Sequence, residues 1–186
     1  MDNELTVEIV NNTVRPLFEK NLEYVKDFLK GDGIDFGCGS CPLLTPPCLY
    51  YIDMSDQPLA VEQVVPLGGI FVHANFEYFF VDNLELDFIF SSHALEDLNN
   101  ELDVINCLET WSNYLKIGGH VVILIPDMQG GRYPTVGEEG NCSHKINVGK
   151  PFFEKIVKEL PQFEIVQIDT IPHTVDTMDV VLRRTV

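Results

Sequence analysis

Basic side chains are scarce in this chain. Its 186 residues carry 12 Lys and Arg against 29 Asp and Glu, a formal net charge of −17. A polyanion of this kind repels phosphate backbones, because nucleic-acid binders gain affinity by neutralising phosphates with Lys and Arg. Action on DNA or RNA is therefore disfavoured, and so is docking on anionic membrane surfaces. Long apolar runs are also missing: none approaches the roughly 18 residues that a membrane span requires. The opening MDNELTVEIV is acidic and lacks the basic region and apolar stretch of a signal peptide. Cysteine is sparse and odd in number, five in all (Cys38, Cys41, Cys48, Cys107, Cys142), in a chain long enough to need no staples. These features point to reduced thiols and a cytoplasmic setting. Repeats, low-complexity tracts and linkers are absent, so a single unit spanning 1–186 is expected.

What is present is a globular composition, 45% apolar and 10% aromatic, which excludes wholesale disorder. Residues 5 to 29 read as helical, with Val10, Val14, Leu17, Phe18, Leu22, Val25, Phe28 and Leu29 on one face. Pro16 predicts a kink, or a second helix starting close to it, and Lys30-Gly31 a stop, so 1–30 forms an N-terminal helical segment. Beyond it, short apolar runs rich in β-formers appear at 33–37, 49–53, 70–74, 86–91 and 120–125. A helix is predicted over 102–115 and another over 151–160, before two final runs at 163–169 and 178–182. Strands separated by crossovers imply an α/β fold: a doubly wound, Rossmann-like, mostly parallel sheet with helices on both faces. The last two runs are joined too briefly for a crossover helix, which suits antiparallel pairing.

Residues 128–149, MQGGRYPTVGEEGNCSHKINVG, are polar and glycine-rich. Loops this long inside compact domains are usually functional or disordered. Following a strand's carboxyl end, where open α/β sheets bind ligands, this one reads as a substrate or lid loop.

The most informative stretch is Gly33-Ile34-Asp35-Phe36-Gly37-Cys38-Gly39-Ser40-Cys41. A strand runs into a turn with glycines at 37 and 39, where backbone can bend sharply and a ligand can approach. The next strand, Leu49-Tyr50-Tyr51-Ile52, ends in Asp53, placed to accept both hydroxyls of an adenosine ribose. A dinucleotide fingerprint G-x-G-x-x-G would need glycine at position 42, which is Pro42, and the following PLLTPPC makes a poor helix for cradling a pyrophosphate. No G-K-[ST] phosphate loop occurs either. The site suits a nucleoside without a phosphate chain, and S-adenosylmethionine is such a ligand.

With these motifs in order, the sequence resembles the small class I S-adenosylmethionine-dependent methyltransferases (methyltransferase type 11-like) from about Lys30 onward. IDFGCG is similar to that family's first motif and YIDMS to its second-strand acid. HANFE resembles the adenine-holding segment, with Asn75 where aspartate is commoner. LDFIFSSHALEDL resembles the fourth-strand motif, LKIGGHVVILIPD the turn and fifth strand, and FEIVQIDT with MDVVLRRT the sixth and an antiparallel seventh strand. Two features depart from the pattern: Cys41 stands where a third glycine is frequent, and the interval from Asp35 to Asp53 is short.

The resemblance implies S-adenosyl-L-methionine as cofactor. Asp35, Gly37, Cys38 and Gly39 would then lie on its methionine part and Asp53 and Met54 at the ribose. Asn75 and Phe76 would hold the adenine, and Ser91 would sit beside the sulfonium. His93 is a candidate catalytic base, since a neutral imidazole can accept a proton from a hydroxyl; histidine is frequent at this spot in the resembled branch, and the alternative role is only to orient loops. Arg132, Tyr133 and His144 are candidate substrate-binding residues on the long loop. The fourth strand ends in SSHA, without the [DNS]-P-P-[YF] motif of the amino-methylating nucleic-acid enzymes, and this points to O- or N-methylation of a sugar, a lipid-linked precursor or another metabolite. Two alternatives stand beside this: a non-catalytic cofactor-binding module or partner subunit, and a thiol or zinc protein using Cys38-x-x-Cys41. The last lacks a second C-x-x-C or H-x₃₋₅-H, so no metal is expected. A homodimer is open to an abbreviated domain of this kind.

Overall fold

The computed structural model describes residues 13–75, 79–174 and 176–186. Seven strands form one sheet: β1 (Gly33–Phe36), β2 (Tyr50–Asp53), β3 (Ile70–His73), β4 (Leu86–Ser92), β5 (Leu115–Pro126), β6 (Phe163–Thr170) and β7 (Thr177–Arg184). Their spatial order is β3-β2-β1-β4-β5-β7-β6. β1 to β5 are parallel, and β7 lies antiparallel between β5 and β6. This is the Rossmann-like arrangement expected from the strand–crossover pattern, with the last strand reversed.

Helices α1 (Arg15–Leu22), α2 (Pro58–Val64), α3 (Glu101–Ser112) and α4 (Lys150–Ile156) cover the two faces. The central strands are apolar at nearly every position because both faces are buried. On β5, Val121, Ile123 and Ile125 join one core, while Val122 and Leu124 join the other. The larger core takes Val104, Leu108 and Trp111 of α3 and Phe152, Phe153 and Ile156 of α4. Trp111 stacks flat on Phe36, ring centroids 4.9 Å apart. Asn100 caps α3, its side chain accepting the Asp103 N–H at 3.1 Å. The smaller core sets Phe18 of α1 and Ala60 and Val64 of α2 against Tyr51, Phe88 and Phe90.

The boundaries differ from expectation in four places. The helix expected over 5–29 is interrupted, and its residues up to 12, Val10 included, lie outside the described ones. α1 stops at Leu22 with Pro16 in its first turn, and a separate 3₁₀ turn comes after it at Lys26–Phe28. The cause is tertiary: the Tyr24 carbonyl, which a continuing helix would use, accepts Gln167 Nε2 at 3.3 Å, while Phe28 N–H turns to the Val25 carbonyl. β5 starts at Leu115 rather than at 120, with an irregularity where Leu86 and Phe88 of β4 face it. α2, which continues as a 3₁₀ turn at Val65–Leu67, is an addition to the expected elements. Finally, the helix expected over 151–160 closes as a 3₁₀ turn at Val157–Glu159.

Two connections, one after β1 and one after β5, leave the carboxyl edge of the sheet without the usual helices. Residues 37–49, between β1 and β2, contain no helix; a proline-rich loop pinned by Tyr51 takes its place. The Tyr51 hydroxyl accepts the Cys48 N–H and donates to the Leu43 carbonyl, both at 2.8 Å. Residues 127–149 contain neither helix nor strand, yet the loop is tied at its base, where Met128 and Gln129 N–H groups donate to the Val148 carbonyl.

Candidate active site

A cavity of about 690 Å³ opens at the carboxyl ends of β1, β2 and β4. Open α/β sheets bind ligands at this edge, where neighbouring crossovers diverge. One wall is the turn after β1. Gly37 and Gly39 take left-handed backbone angles, φ 71° and 53°, that a side chain would disfavour. The Gly37 and Cys38 N–H groups donate to the Ile52 carbonyl at 2.8 and 3.2 Å, which pulls the turn onto the end of β2.

Asp53 ends β2 and faces this turn. Its Oδ2 accepts the Gly39 N–H at 2.9 Å; its Oδ1 accepts the Ser55 N–H and hydroxyl at 2.9 and 2.8 Å. A carboxylate has about four lone-pair sites, so Oδ2 keeps capacity toward the cavity. Met54 and Asn75 complete this wall.

Asp35 lies beneath the turn, fully buried. Oδ2 accepts the Leu43 N–H at 2.8 Å, while Oδ1 has no hydrogen-bond partner. Burial, aided by the Asp53 charge and opposed by the Leu43 N–H, pushes its carboxyl up to about 7. Such an orphaned acid oxygen under a ligand-sized cavity is unusual, because buried polar groups are normally paired. Burial likewise pushes the Cys38 and Cys48 thiols well above their usual range, the opposite of what a reactive thiolate needs. Among the described residues no group of three or more His, Cys, Asp or Glu side chains is disposed to hold a metal ion.

The opposite wall comes from the end of β4, the segment after it and the long loop: Ser92, His93, Asp97, Asn99 and Lys145 line it. His93 takes a left-handed φ of 52°, and its N–H donates to the Leu124 carbonyl at 2.9 Å. Asp97 accepts the Ser143 hydroxyl at 2.8 Å, and Lys145 Nζ donates to Asn99 Oδ1 at 3.0 Å. Burial raises the Asp97 carboxyl, against the Ser143 bond.

Of the residues singled out from the sequence, Gly37, Cys38, Gly39, Asp53, Met54, Asn75 and His93 therefore meet around one cavity. Asp35 and Ser91 are both buried and do not line it; the neighbouring Ser92 does. Phe76 lies outside the described residues. The three loop residues stand elsewhere. The Arg132 guanidinium is directed to the carbonyls of Ile171, Thr174 and Thr177. The Tyr133 hydroxyl accepts the Asn141 N–H at 3.3 Å, and its ring lies 5.2 Å from that of His144, which is buried. Phe18, Asp97, Asn99 and Lys145 line the cavity without any sequence signal having marked them. The cavity joins α1 to two distant loops, and such meetings have no local pattern.

No protein-family model matches the chain, and no curated protein matches it in sequence. Solved structures do resemble it. An S-adenosylmethionine-dependent methyltransferase from Clostridium acetobutylicum is 13% identical, with a TM-score of 0.70 over 98% of this chain and 99% of its own. The 1,6-didemethyltoxoflavin-N1-methyltransferase of Burkholderia thailandensis, solved with S-adenosylhomocysteine, is 12% identical, with a TM-score of 0.71 over 98% and 84%. The N-methyltransferase NodS of Bradyrhizobium japonicum, also solved with S-adenosylhomocysteine, is 17% identical, with a TM-score of 0.64 over 90% and 84%. The chain thus has the fold of the class I S-adenosylmethionine-dependent methyltransferases.

Proposed function

We propose that the protein is an S-adenosylmethionine-dependent methyltransferase acting on oxygen or nitrogen of a small molecule such as a sugar, a lipid-linked precursor or another metabolite. The observation that carries this reading is Asp53 at the tip of β2, bonded to the Gly37–Gly39 turn on one wall of the cavity, with Asp35 buried nearby. The residues fit the cofactor. Asp53 Oδ2 has acceptor capacity for ribose hydroxyls, and Asp35, buried nearby, would act on the amino-acid end through a water or a loop amide. Asn75 offers a side-chain amide to an adenine edge. Two of the similar structures are methyltransferases with S-adenosylhomocysteine bound, which supports the same assignment.

When bound, the cofactor supplies a methyl group on a good leaving group. The work left to the chain is positional: holding an acceptor in line across the cavity and keeping water out. Gly37 and Gly39 let backbone approach the ligand closely, and Asp53 fixes its rotation. On the far wall, His93, Asp97 and Lys145 offer proton-accepting, anionic and cationic contacts to the acceptor. The net charge of −17 disfavours phosphate-rich polymers as acceptors.

Titration calorimetry of S-adenosylmethionine and S-adenosylhomocysteine into the full chain tests this. Micromolar binding is expected, weakened tenfold or more in Asp53→Ala, about 1.4 kcal/mol. Absence of binding of either ligand to folded protein overturns the reading.

A further inference from the structure

Behind His93 lies a carboxylate with no ordinary partner. Glu96 sits in the 3₁₀ turn Leu95–Asp97 and is completely buried, yet neither of its carboxylate oxygens has a hydrogen-bond partner. Two imidazoles approach it: His93 Nδ1 and His144 Nε2 each stand 3.5 Å from Oε1. Burying an acid this way is costly unless something compensates.

The two histidines come from different places. His93 lines the cavity; His144 belongs to the loop 127–149 and is buried against Tyr133. The main chain repeats the connection, since the Lys145 and Ile146 N–H groups donate to the Glu96 carbonyl at 2.8 and 3.3 Å. Residue 96 thus holds the loop by its backbone and meets both imidazoles by its side chain. His93 is also held in a left-handed conformation, which a residue with a side chain adopts where the surroundings impose it.

We propose that Glu96 is a positioning residue: it fixes the ring of His93 with Nδ1–H toward the protein, leaving Nε2 as the proton acceptor for the methyl acceptor in the cavity, and it fastens the long loop to the same point through His144. This rests on the methyltransferase reading. The acceptor class follows from it: a hydroxyl or amine whose reacting atom sheds a proton. The acceptor's lone pair forms the bond to the methyl carbon, the carbon–sulfur bond breaks with its pair remaining on sulfur, and the acceptor's proton passes to Nε2 of His93. At 3.5 Å the two contacts stand at the outer edge of hydrogen-bond distance.

The electrostatics agree with this geometry. Desolvation would lower the His93 imidazole, but Glu96, Asp176 and Asp97 outweigh it and hold it above its ordinary value. His144 and Lys145 are the other ionisable groups packed against this corner.

The test is ¹⁵N and ¹H NMR of the histidine side chains in the full chain, with S-adenosylhomocysteine calorimetry alongside. Neutral His93 is expected as the Nδ1–H tautomer, titrating above the ordinary imidazole value. In Glu96→Gln it should lose that tautomer preference and titrate at least one unit lower, while S-adenosylhomocysteine affinity changes less than threefold. A wild-type His93 in the Nε2–H tautomer, or one whose titration ignores Glu96→Gln, overturns the proposal. Should Glu96→Gln not fold, His144→Gln decides: it keeps the His93 contact, so His93 should stay raised while Lys145 and Ile146 amide exchange quickens at least tenfold. A fall in the His93 value there, or unchanged exchange, overturns it. Loss of S-adenosylhomocysteine binding by the wild-type protein sinks the methyltransferase reading instead, and leaves the His93–Glu96 readout intact.

Discussion

The two walls of the cavity are built on different principles. The wall formed by β1 and β2 is made of strand ends: parallel register, two left-handed glycines and main-chain N–H groups set its shape, and carboxylates are its polar anchors. The wall after β4 is made of side chains from a 3₁₀ turn and a loop, joined through one buried acid. A wall built from backbone can change little without changing the sheet. A wall built from loop side chains can change what it binds by substitution alone, and function concentrates on such loops for that reason. The contrast gives a physical reason why one scaffold can carry many chemistries.

Four substitutions would break or sharpen this contrast. The largest effect belongs to Asp35. Its carboxyl sits near its ordinary value in the unfolded chain and at about 7 in the folded one, so between these values the folded form holds a proton that the unfolded form has released. Its contribution is full below about pH 4 and is lost as the pH rises toward 7. Asp35→Asn should flatten that slope, worth roughly 4 kcal/mol across the window, in urea denaturation at a series of pH values. A residual slope ending near pH 6 should remain from Asp179, raised to about 6 by burial.

Tyr51→Phe comes next. It leaves the Cys48 N–H and the Leu43 carbonyl without their partner, at a cost of about 1–3 kcal/mol, and should also weaken S-adenosylhomocysteine, because Leu43 holds Asp35. Denaturation and calorimetry on the same variant separate the two effects. Arg132→Ala, on the loop side, frees three carbonyls and should cost about 1–2 kcal/mol. Its signature should be faster hydrogen exchange in 127–149 with cofactor affinity unchanged; a loss of affinity would show that the walls are not independent. The smallest change is expected from Ser143→Ala, which removes one bond to Asp97, about 1 kcal/mol in thermal denaturation.

The same contrast governs what the amino-acid order reveals. Strand-end features are local: Gly37, Gly39 and Asp53 announce themselves within about twenty residues, and alternating or continuous apolar runs locate the strands. α3 is legible because Leu102, Ile105, Leu108, Trp111 and Leu115 recur three or four apart, although Leu102 is exposed and Leu115 opens β5. α2 escapes because Pro58–Val64 is only 7 residues long, too short for a periodic pattern; Pro58 at its first turn is the available signal. α1 is shorter than its pattern suggests because Val25 and Leu29 are buried as a continuing helix would bury them, although a turn delivers them. Glu96 is invisible for another reason. Glutamate is rarely buried without a partner, and its second partner, His144, lies in a loop far along the chain. Only the i, i+3 spacing from His93 hints at it.

The placement of β7 has a consequence for biosynthesis. β5 and β6 never touch; each is bonded to β7, which comes after both in the chain. As the polypeptide leaves the ribosome, the parallel half of the sheet can assemble while β5 and β6 still present bare edges to solvent. Those edges are templates for pairing with other chains until β7 emerges and slides between them. A ribosome that stalls before residue 177 therefore releases a protein with most of its cavity residues in place and an unsealed sheet, a species that invites chaperone capture or aggregation.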